Sequence, residues 1–489
     1  MVFSSFEFLL IFLPISFFIY YLLAHYANAK LAIAFIFLAS LFYYGYWNPQ
    51  YTYIIIISII FNFLTGKAIQ YYINKNKSYP PPQKTILPTK EKLIFIIGII
   101  SNLLLLFYFK YIDFSIITIN KITGSNLDLL NIILPIGISF FTFQQIAYLS
   151  DIYTKKHTNT KEGFIEYSCF VCFFPQLVAG PIVHHAEMMP QFADPKNIRI
   201  NWENIYNGLF FISMGLAKKV LIADRLSPVV SLAFDSYSSL SLSEAVFSSL
   251  AYTAQLYFDF SGYSDMAIGC ALLFNIHLPQ NFNSPYKSLS IQDFWRRWHI
   301  TLSRWLRDYL YIPLGGNRKG NTRTLINLFT TFLLGGIWHG AAWTFILWGV
   351  LHGTCLCVHR IFSRTFSLKI PKLLGWFLTF IFINLTWITF RATSFDCIHK
   401  FIIAFSGENG IGSPISLLKE ASKLDGFSVK QRLIIFLLSF LIVFALPNSN
   451  QIATFNSKYK TIIIILLLIF GLSFAINPEL KQEFIYFQF

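Results

Sequence analysis

Two tryptophan-histidine pairs, Trp298-His299 and Trp338-His339, are the residues in this chain best suited to do chemistry. Each lies in or beside a segment apolar enough to enter a membrane, where an ionisable side chain marks a functional site by default. An imidazole there can serve as a general base that deprotonates a hydroxyl acceptor; the other reading is a hydrogen-bonded core histidine. Arg296, Arg297 and Arg304 accompany His299. Their guanidinium groups suit an anionic, phosphate-bearing donor, or else anchor an interfacial amphipathic helix with tryptophans at headgroup level. The following GGNRKGN, Gly315 to Asn321, lacks the Gly-Lys-Ser/Thr end of a phosphate-binding loop, so nucleotide hydrolysis is not supported.

The segment Ser290 to Gly353 must position both histidines. Ser290-Ile-Gln-Asp293 has the form of a capping box, which predicts a helix starting at about Ile291. Trp295, Trp298, Leu302, Trp305 and Tyr309 then recur at spacings of three and four, one aromatic face of a continuing helix, and Asp293 and Arg297 form a favourable i,i+4 pair. Leu325 to Val350 is apolar, contains Gly335, Gly336 and Gly340 and has no proline, so it is expected to stay helical and pack closely against a neighbour.

Other titratable groups carry less. Asp259 and Asp265, in QLYFDFSGYSDMAIG, fall on opposite sides of a helix, and a structural role with hydrogen-bonded partners is expected because buried charge must be paired. His184-His185 reads as a surface pair on a polar loop. Cys169 and Cys172 sit in an apolar run with no second pair at ligand spacing, so buried thiols are expected and neither a disulfide nor a metal.

At 489 residues, 55% hydrophobic and only 12% charged, with mean hydropathy +0.55, the chain lies far from the roughly 25% charged residues of soluble domains. It is expected to be all-α and polytopic, with about 12 membrane segments of the length a bilayer demands. The net charge of +15 is dispersed over loops, which argues for cytoplasmic anchoring rather than nucleic acid. The lysine-rich loop Gly66 to Lys92, with Pro80-Pro81-Pro82, and the basic segment Asp151 to Lys161 should face the cytoplasm, leaving both termini outside. Met1 to Ala24 has no basic leader region and should remain as the first span. Leu129 to Leu149 is expected to cross, and Phe164 to Val183, with Pro175, Gly180 and Pro181, to be re-entrant or kinked. No internal repeat is evident, which disfavours a transporter or flippase of lipid-linked polymer built from repeated halves.

The stretches FWRRWHITLSRWLRDYLYIPLGGNRKG and GGIWHGAAWTFILWGVLHG resemble the signature of membrane-bound O-acyltransferases (MBOAT). The branch is the bacterial one, which includes alginate and peptidoglycan O-acetyltransferases and the D-alanyl transfer protein of teichoic acid synthesis. FSSFEFLLIFLP, LPIGISFFTFQQIAYLSDIY, FFPQLVAGPIVHHAEMMPQF and QLYFDFSGYSDMAIG extend the resemblance over most of the chain. It implies a bowl of tilted and broken helices around a central tunnel in the inner membrane, filling residues 1–456. His339 would be catalytic and His299 the second active-site histidine. Acetyl-CoA would be the cytoplasmic donor, with Arg296, Arg297, Arg304, Trp298 and Trp338 as the binding set. Length and YIPLGGNRKG look more like the acetyltransferases than the D-alanyl branch. The C-terminal part, 457–489, ends in EFIYFQF, which resembles the Phe-Ile-Tyr motif of the single-span partner in the D-alanyl system. Tyr486 is therefore expected to relay acetyl to an extracytoplasmic SGNH-type transferase acting on a polysaccharide or peptidoglycan.

Overall fold

The computed structural model describes residues 1–78, 89–154, 163–366, 370–455, 457–475 and 484–485. Pro80-Pro81-Pro82, most of the basic segment after Asp151, and Tyr486 lie outside the described residues. Every regular element among the described residues is helical, as the composition implies. Among the described residues, six helices have the length and hydropathy of a crossing: Glu7–Tyr26, Pro49–Asn76, Lys90–Thr123, Trp202–Ser236, Trp343–Thr365 and Lys372–Arg391. The pair Ile415–Asp425 and Val429–Ala445, bent by 105°, would make a seventh. Several of the remaining apolar stretches are interrupted, and the interruptions carry the site.

Contacts divide the chain into two units. The first holds Leu9–Tyr206 and Cys270–Pro279. Its helices Thr52–Ser78, Lys90–Leu106 and Ile138–Tyr153 are joined by buried amides inside apolar surfaces: Asn102 Nδ2 donates to Asn62 Oδ1 (2.6 Å), and Ser58 and Asn62 both donate to Gln145 Oε1. Such bonds are a way to join helices where lipid and protein are equally apolar. Leu129 to Leu149 is not one helix. Helix begins only at Ile138, after Pro135 and a left-handed Gly137 (φ 73°), and the non-helical backbone before it gives its Leu130 and Ile132 amides to Asp113 (2.8 and 3.1 Å). Phe164 to Val183 is broken as its prolines imply, into Phe164–Cys172 and Phe174–Leu177. His185 corrects its expectation. It is 1% exposed, packed against the rings of Tyr148 and Phe170, because the apolar run before it carries it inward. Cys169 and Cys172 are fully buried thiols.

The second unit holds Val2–Phe8, Asn207–Gly269 and Gln280–Phe489. Within Asn207–Gly269, the part of helix Leu242–Leu272 in this unit packs on the part of helix Trp202–Ala217 in it through small residues. A Cβ on Gly215 would lie 2.3 Å from Gly262 O, and one on Gly269 would lie 2.5 Å from Gly208 O. This approach sets Lys218 and Lys219 against Asp265 and Asp259: Lys218 pairs with Asp265 (2.6 Å), and Lys219 bridges Asp259 (2.6 Å) and Asp224 (2.8 Å). The aspartates are thus partnered inside the fold, as buried charge requires.

Candidate active site

Ser290 caps the first helix of the central segment as its sequence predicts, its Oγ accepting from Asp293 N (3.2 Å). The expected continuous aromatic helix does not follow. Helix Ile291–Trp295 stops, and helix Ile300–Leu306 begins after His299, which stands in the left-handed region (φ 43°). The backbone at the break is paired elsewhere: Asn283 N donates to Arg297 O (2.9 Å) and Ile300 N to Asn281 O (3.0 Å). Tertiary pairing with the 281–283 strip outcompetes the next helical turn. Asn281 Oδ1 also accepts from Thr301 N (3.3 Å), Thr301 Oγ1 (2.9 Å) and His299 Nδ1 (3.1 Å). A backbone amide can only donate, so the oxygen assignment is fixed and Nδ1 of His299 carries the proton, leaving Nε2 as the basic nitrogen. The ring is fully buried with Phe260 edge-on at 4.8 Å, and burial pushes its pKa down to about 3, so the imidazole is neutral at physiological pH.

The second expected helix is also broken. Helix Asn321–His339 ends on the catalytic candidate, Gly340 is extended, and helix Trp343–Thr365 folds back on the first. The two pack so closely that a Cβ on Gly336 would lie 2.8 Å from Gly349 Cα. His339 is 5% exposed and walled by Trp338 (5.1 Å), Trp348 (5.0 Å) and Phe390 (5.1 Å).

Both histidine segments meet in one aromatic layer. Trp348 touches Trp387 (6.2 Å), which touches Trp298 (4.9 Å), the neighbour of His299. Trp387 Nε1 is fixed by Tyr286 OH (3.1 Å), and that hydroxyl donates to Thr253 O (2.9 Å). Two residues of this layer escaped the sequence reading. His352, 0% exposed, accepts from Trp295 Nε1 at Nδ1 (3.2 Å), which leaves its Nε2–H to donate to Thr386 Oγ1 (3.1 Å). Trp348 is 1% exposed, and its Nε1–H has no hydrogen-bond partner among the described residues. A buried unmade bond of this kind costs ~1–3 kcal/mol, which calls for a reason. The signal for His352 was Leu351-His352-Gly353, a third imidazole in an apolar run.

A cavity of ≈ 600 Å³ opens beside this layer, with Trp295, Arg296, Ser303, Arg304, Arg307 and Arg360 among its walls. Its size falls in the range of small-molecule sites. Arg296 and Arg304 line this cavity, joined by Arg307 and Arg360. Arg297 does not: it pairs with Asp293 (2.9 Å) outside the cavity wall. Trp298 and Trp338 are buried in the aromatic layer and are not on the cavity wall, whereas Trp295 is.

Tyr486 lies outside the described residues, but Phe484 and Ile485 are buried, 2% and 7% exposed. Ile485 N donates to Asp259 Oδ2 (2.9 Å), and Phe484 stacks on Tyr263 (4.4 Å).

The family model described as MBOAT, membrane-bound O-acyltransferase family, matches residues 137–399. The chain is 44% identical over 530 residues to the peptidoglycan O-acetyltransferase of Helicobacter pylori, covering 100% of this chain and 98% of that one. It is 40% identical over 402 residues to the probable alginate O-acetylase AlgI of Azotobacter vinelandii, covering 81% and 76%. With the teichoic acid D-alanyltransferase of Bacillus subtilis it shares 26% identity over 250 residues, 48% and 61% of the two chains. A family model over more than half of the chain and 44% identity along nearly the whole length of a relative show that the chain belongs to the membrane-bound O-acyltransferase family, and it is an O-acyltransferase.

Proposed function

We propose that the chain is an O-acetyltransferase that takes acetyl from cytoplasmic acetyl-CoA and passes it across the inner membrane for O-acetylation of peptidoglycan or an alginate-like exported polysaccharide. Support for acetyl over D-alanyl comes from the higher identity to the two acetyl-transferring relatives, 44% and 40% against 26%. In this reading the helices form the bowl with its tunnel, the arginine-rich side faces the cytoplasm and both termini face outward.

One observation carries the reading: a wall residue of the arginine-lined cavity, Trp295, touches Trp348 (5.7 Å), which touches His339. A donor whose phosphates lie on Arg296, Arg304 and Arg360 then has its thioester within reach of the imidazole. The acceptor hydroxyl, which we assign to Tyr486, attacks the thioester carbonyl carbon. His339 takes the hydroxyl proton as the C–O bond forms, and returns it to the thiolate as the C–S bond breaks. The Trp348 N–H supplies a hydrogen bond to the carbonyl oxygen as it gains charge. His299, with Nδ1–H held by Asn281, presents Nε2 to orient the acceptor. An SGNH-type partner outside then moves acetyl from Tyr486 to the polymer.

The test is CoA release from acetyl-CoA by the purified, lipid-reconstituted protein. His339→Ala should lower it by about 10²–10⁴-fold, the worth of a general base. Undiminished turnover would remove His339 from the chemistry and place the general base elsewhere.

A further inference from the structure

The GGNRKGN stretch does not match a nucleotide-hydrolysing loop, yet it runs along the arginine-lined cavity: Tyr311 just before it and Asn317 within it are wall residues. We infer that the loop Ile312 to Gly320 is a clamp for the phosphate-bearing end of the donor, and that Asn327, beneath it, is the positioning residue that sets the clamp against the cavity. The inference rests on the reading of that cavity as the donor site, and adds which part of its wall is held in register and by what.

The loop is folded by its own backbone. Ile312 N donates to Arg307 O (2.9 Å), Gly315 N to Ile312 O (3.0 Å) and Gly316 N to Tyr311 O (2.9 Å). Gly316 stands in the left-handed region (φ 55°), which glycine enters without steric cost. It is buried, whereas Asn317, Arg318 and Lys319 after it are exposed, so the loop turns inward at this residue. A side chain of the helix beneath holds it there. Asn327, buried, donates from Nδ2 to Gly316 O (2.9 Å). The far end is pinned by Thr324, also buried, whose Oγ1 donates to Gly320 O (2.7 Å). Between the two pins lies Asn317 on the cavity wall, followed by Arg318 and Lys319, two more cations beside a wall that already carries Arg296, Arg304, Arg307 and Arg360.

A donor with several phosphates gains most from cations that are already in place, because ordering a loop on binding costs affinity. An asparagine inside an apolar helix is costly without a hydrogen-bond partner; here its partner is the loop. Asn327 also touches the wall from below: its main-chain oxygen accepts from Thr331 Oγ1 (2.6 Å), and Thr331 lines the cavity. The same helix ends on His339, but the pin lies about 18 Å from that end at 1.5 Å per residue. Asn327 therefore acts on how the donor is seated and not on the ring at the helix end.

The experiment uses the full chain in nanodiscs, with CoA as the probe of binding and acetyl-CoA for turnover. Trypsin reports the loop, since Arg318 and Lys319 are exposed in it: CoA should protect this site in the unchanged chain, with cleavage located by mass. Asn327→Leu keeps the size of the side chain and suits an apolar helix. It should be cut faster and should weaken CoA in isothermal titration. The KM for acetyl-CoA should rise by about five- to tenfold, the worth of one lost hydrogen bond, with kcat within about twofold. Gly316→Val perturbs the same contact from the loop side. A Cβ at this position would meet Tyr311 Cε1 at 3.6 Å, ordinary contact, so the backbone conformation is what changes. Gly316→Val should reproduce the rise in KM, and Gly316→Asn, which tolerates the left-handed region, should restore the original value. Unchanged CoA affinity and KM in both Asn327→Leu and Gly316→Val overturns the clamp. A fall in kcat at constant KM overturns it as well, being the mark of a helix displaced at His339. CoA that binds the unchanged chain without slowing cleavage at Arg318 and Lys319 overturns the contact with the loop. A chain that binds no CoA at all overturns the donor reading of the cavity, and the clamp with it.

Discussion

The two histidine breaks differ in what immobilises the ring. At His299 a single amide oxygen, Asn281 Oδ1, collects the imidazole, a backbone N–H and a hydroxyl, and the ring sits in a left-handed turn at 0% exposure. At His339 the ring ends a helix, and Trp338, Trp348 and Phe390 wall it. Polar fixation chooses a tautomer and holds it, which suits a group that orients. Aromatic walls exclude water from the ring, which suits a group that must gain and lose a proton. The two imidazoles thus stand in unlike surroundings, although both follow a tryptophan in the sequence.

The sharpest way to break that contrast is the pair His339→Ala and His299→Ala in the CoA-release assay. The first should lose about 10²–10⁴-fold in kcat as expected for a general base, the second less; equal losses would make both rings proton carriers. Next in size is Trp348→Phe, which keeps a ring but deletes the one N–H. A kcat loss of about 10²-fold at constant KM is expected if that proton meets the reacting carbonyl, and no loss would return Trp348 to packing. The cavity separates arginines that the sequence could not. Arg304→Ala or Arg360→Ala should raise the KM for acetyl-CoA by about tenfold through loss of a charge-assisted contact, and Arg297→Ala by less than about twofold. Isothermal titration with CoA gives the same ranking without turnover.

The smallest effect is in stability against pH. Burial lowers His299 from 6.5 to about 3 in the folded chain, so the unfolded chain binds the proton over that window. The stability linked to neutral His299 is complete above about pH 6.5 and is lost progressively as pH falls towards 3. Asn281→Asp sets a carboxylate beside Nδ1–H, raises the folded-state value and should flatten this acid limb in thermal unfolding of the detergent-solubilised protein.

Local chemistry was legible in the sequence where it is local in space. The Ser290 cap and the Asp293–Arg297 pair form as the spacing dictates, and that same pair explains why Arg297 is absent from the cavity wall. The break at His299 left no Pro or Gly at the position itself, because its cause is pairing with Asn281 and Asn283, remote along the chain. The periodicity of Trp295, Trp298, Leu302 and Trp305 describes a buried face correctly while the backbone beneath it changes direction. At the second break Gly340 was visible, but it reads equally as a small residue for close packing. Phe345 decides the matter: a Cβ at 340 would lie 2.1 Å from its ring. His352 and Trp348 gained meaning only through partners on other helices, Trp295, Thr386 and His339.

The contact of Gly336 with Gly349 has a consequence for how mutational data on this enzyme are interpreted. The helix that ends on His339 is clamped at its own last turn by its neighbour's backbone, with no room for a methyl group. Substitutions at either glycine are therefore expected to displace His339 without touching substrate, and to lose activity with it if that ring is the base we propose. A screen scored on activity alone would rank them with the histidine, and only yield of folded protein measured alongside would tell geometry from chemistry.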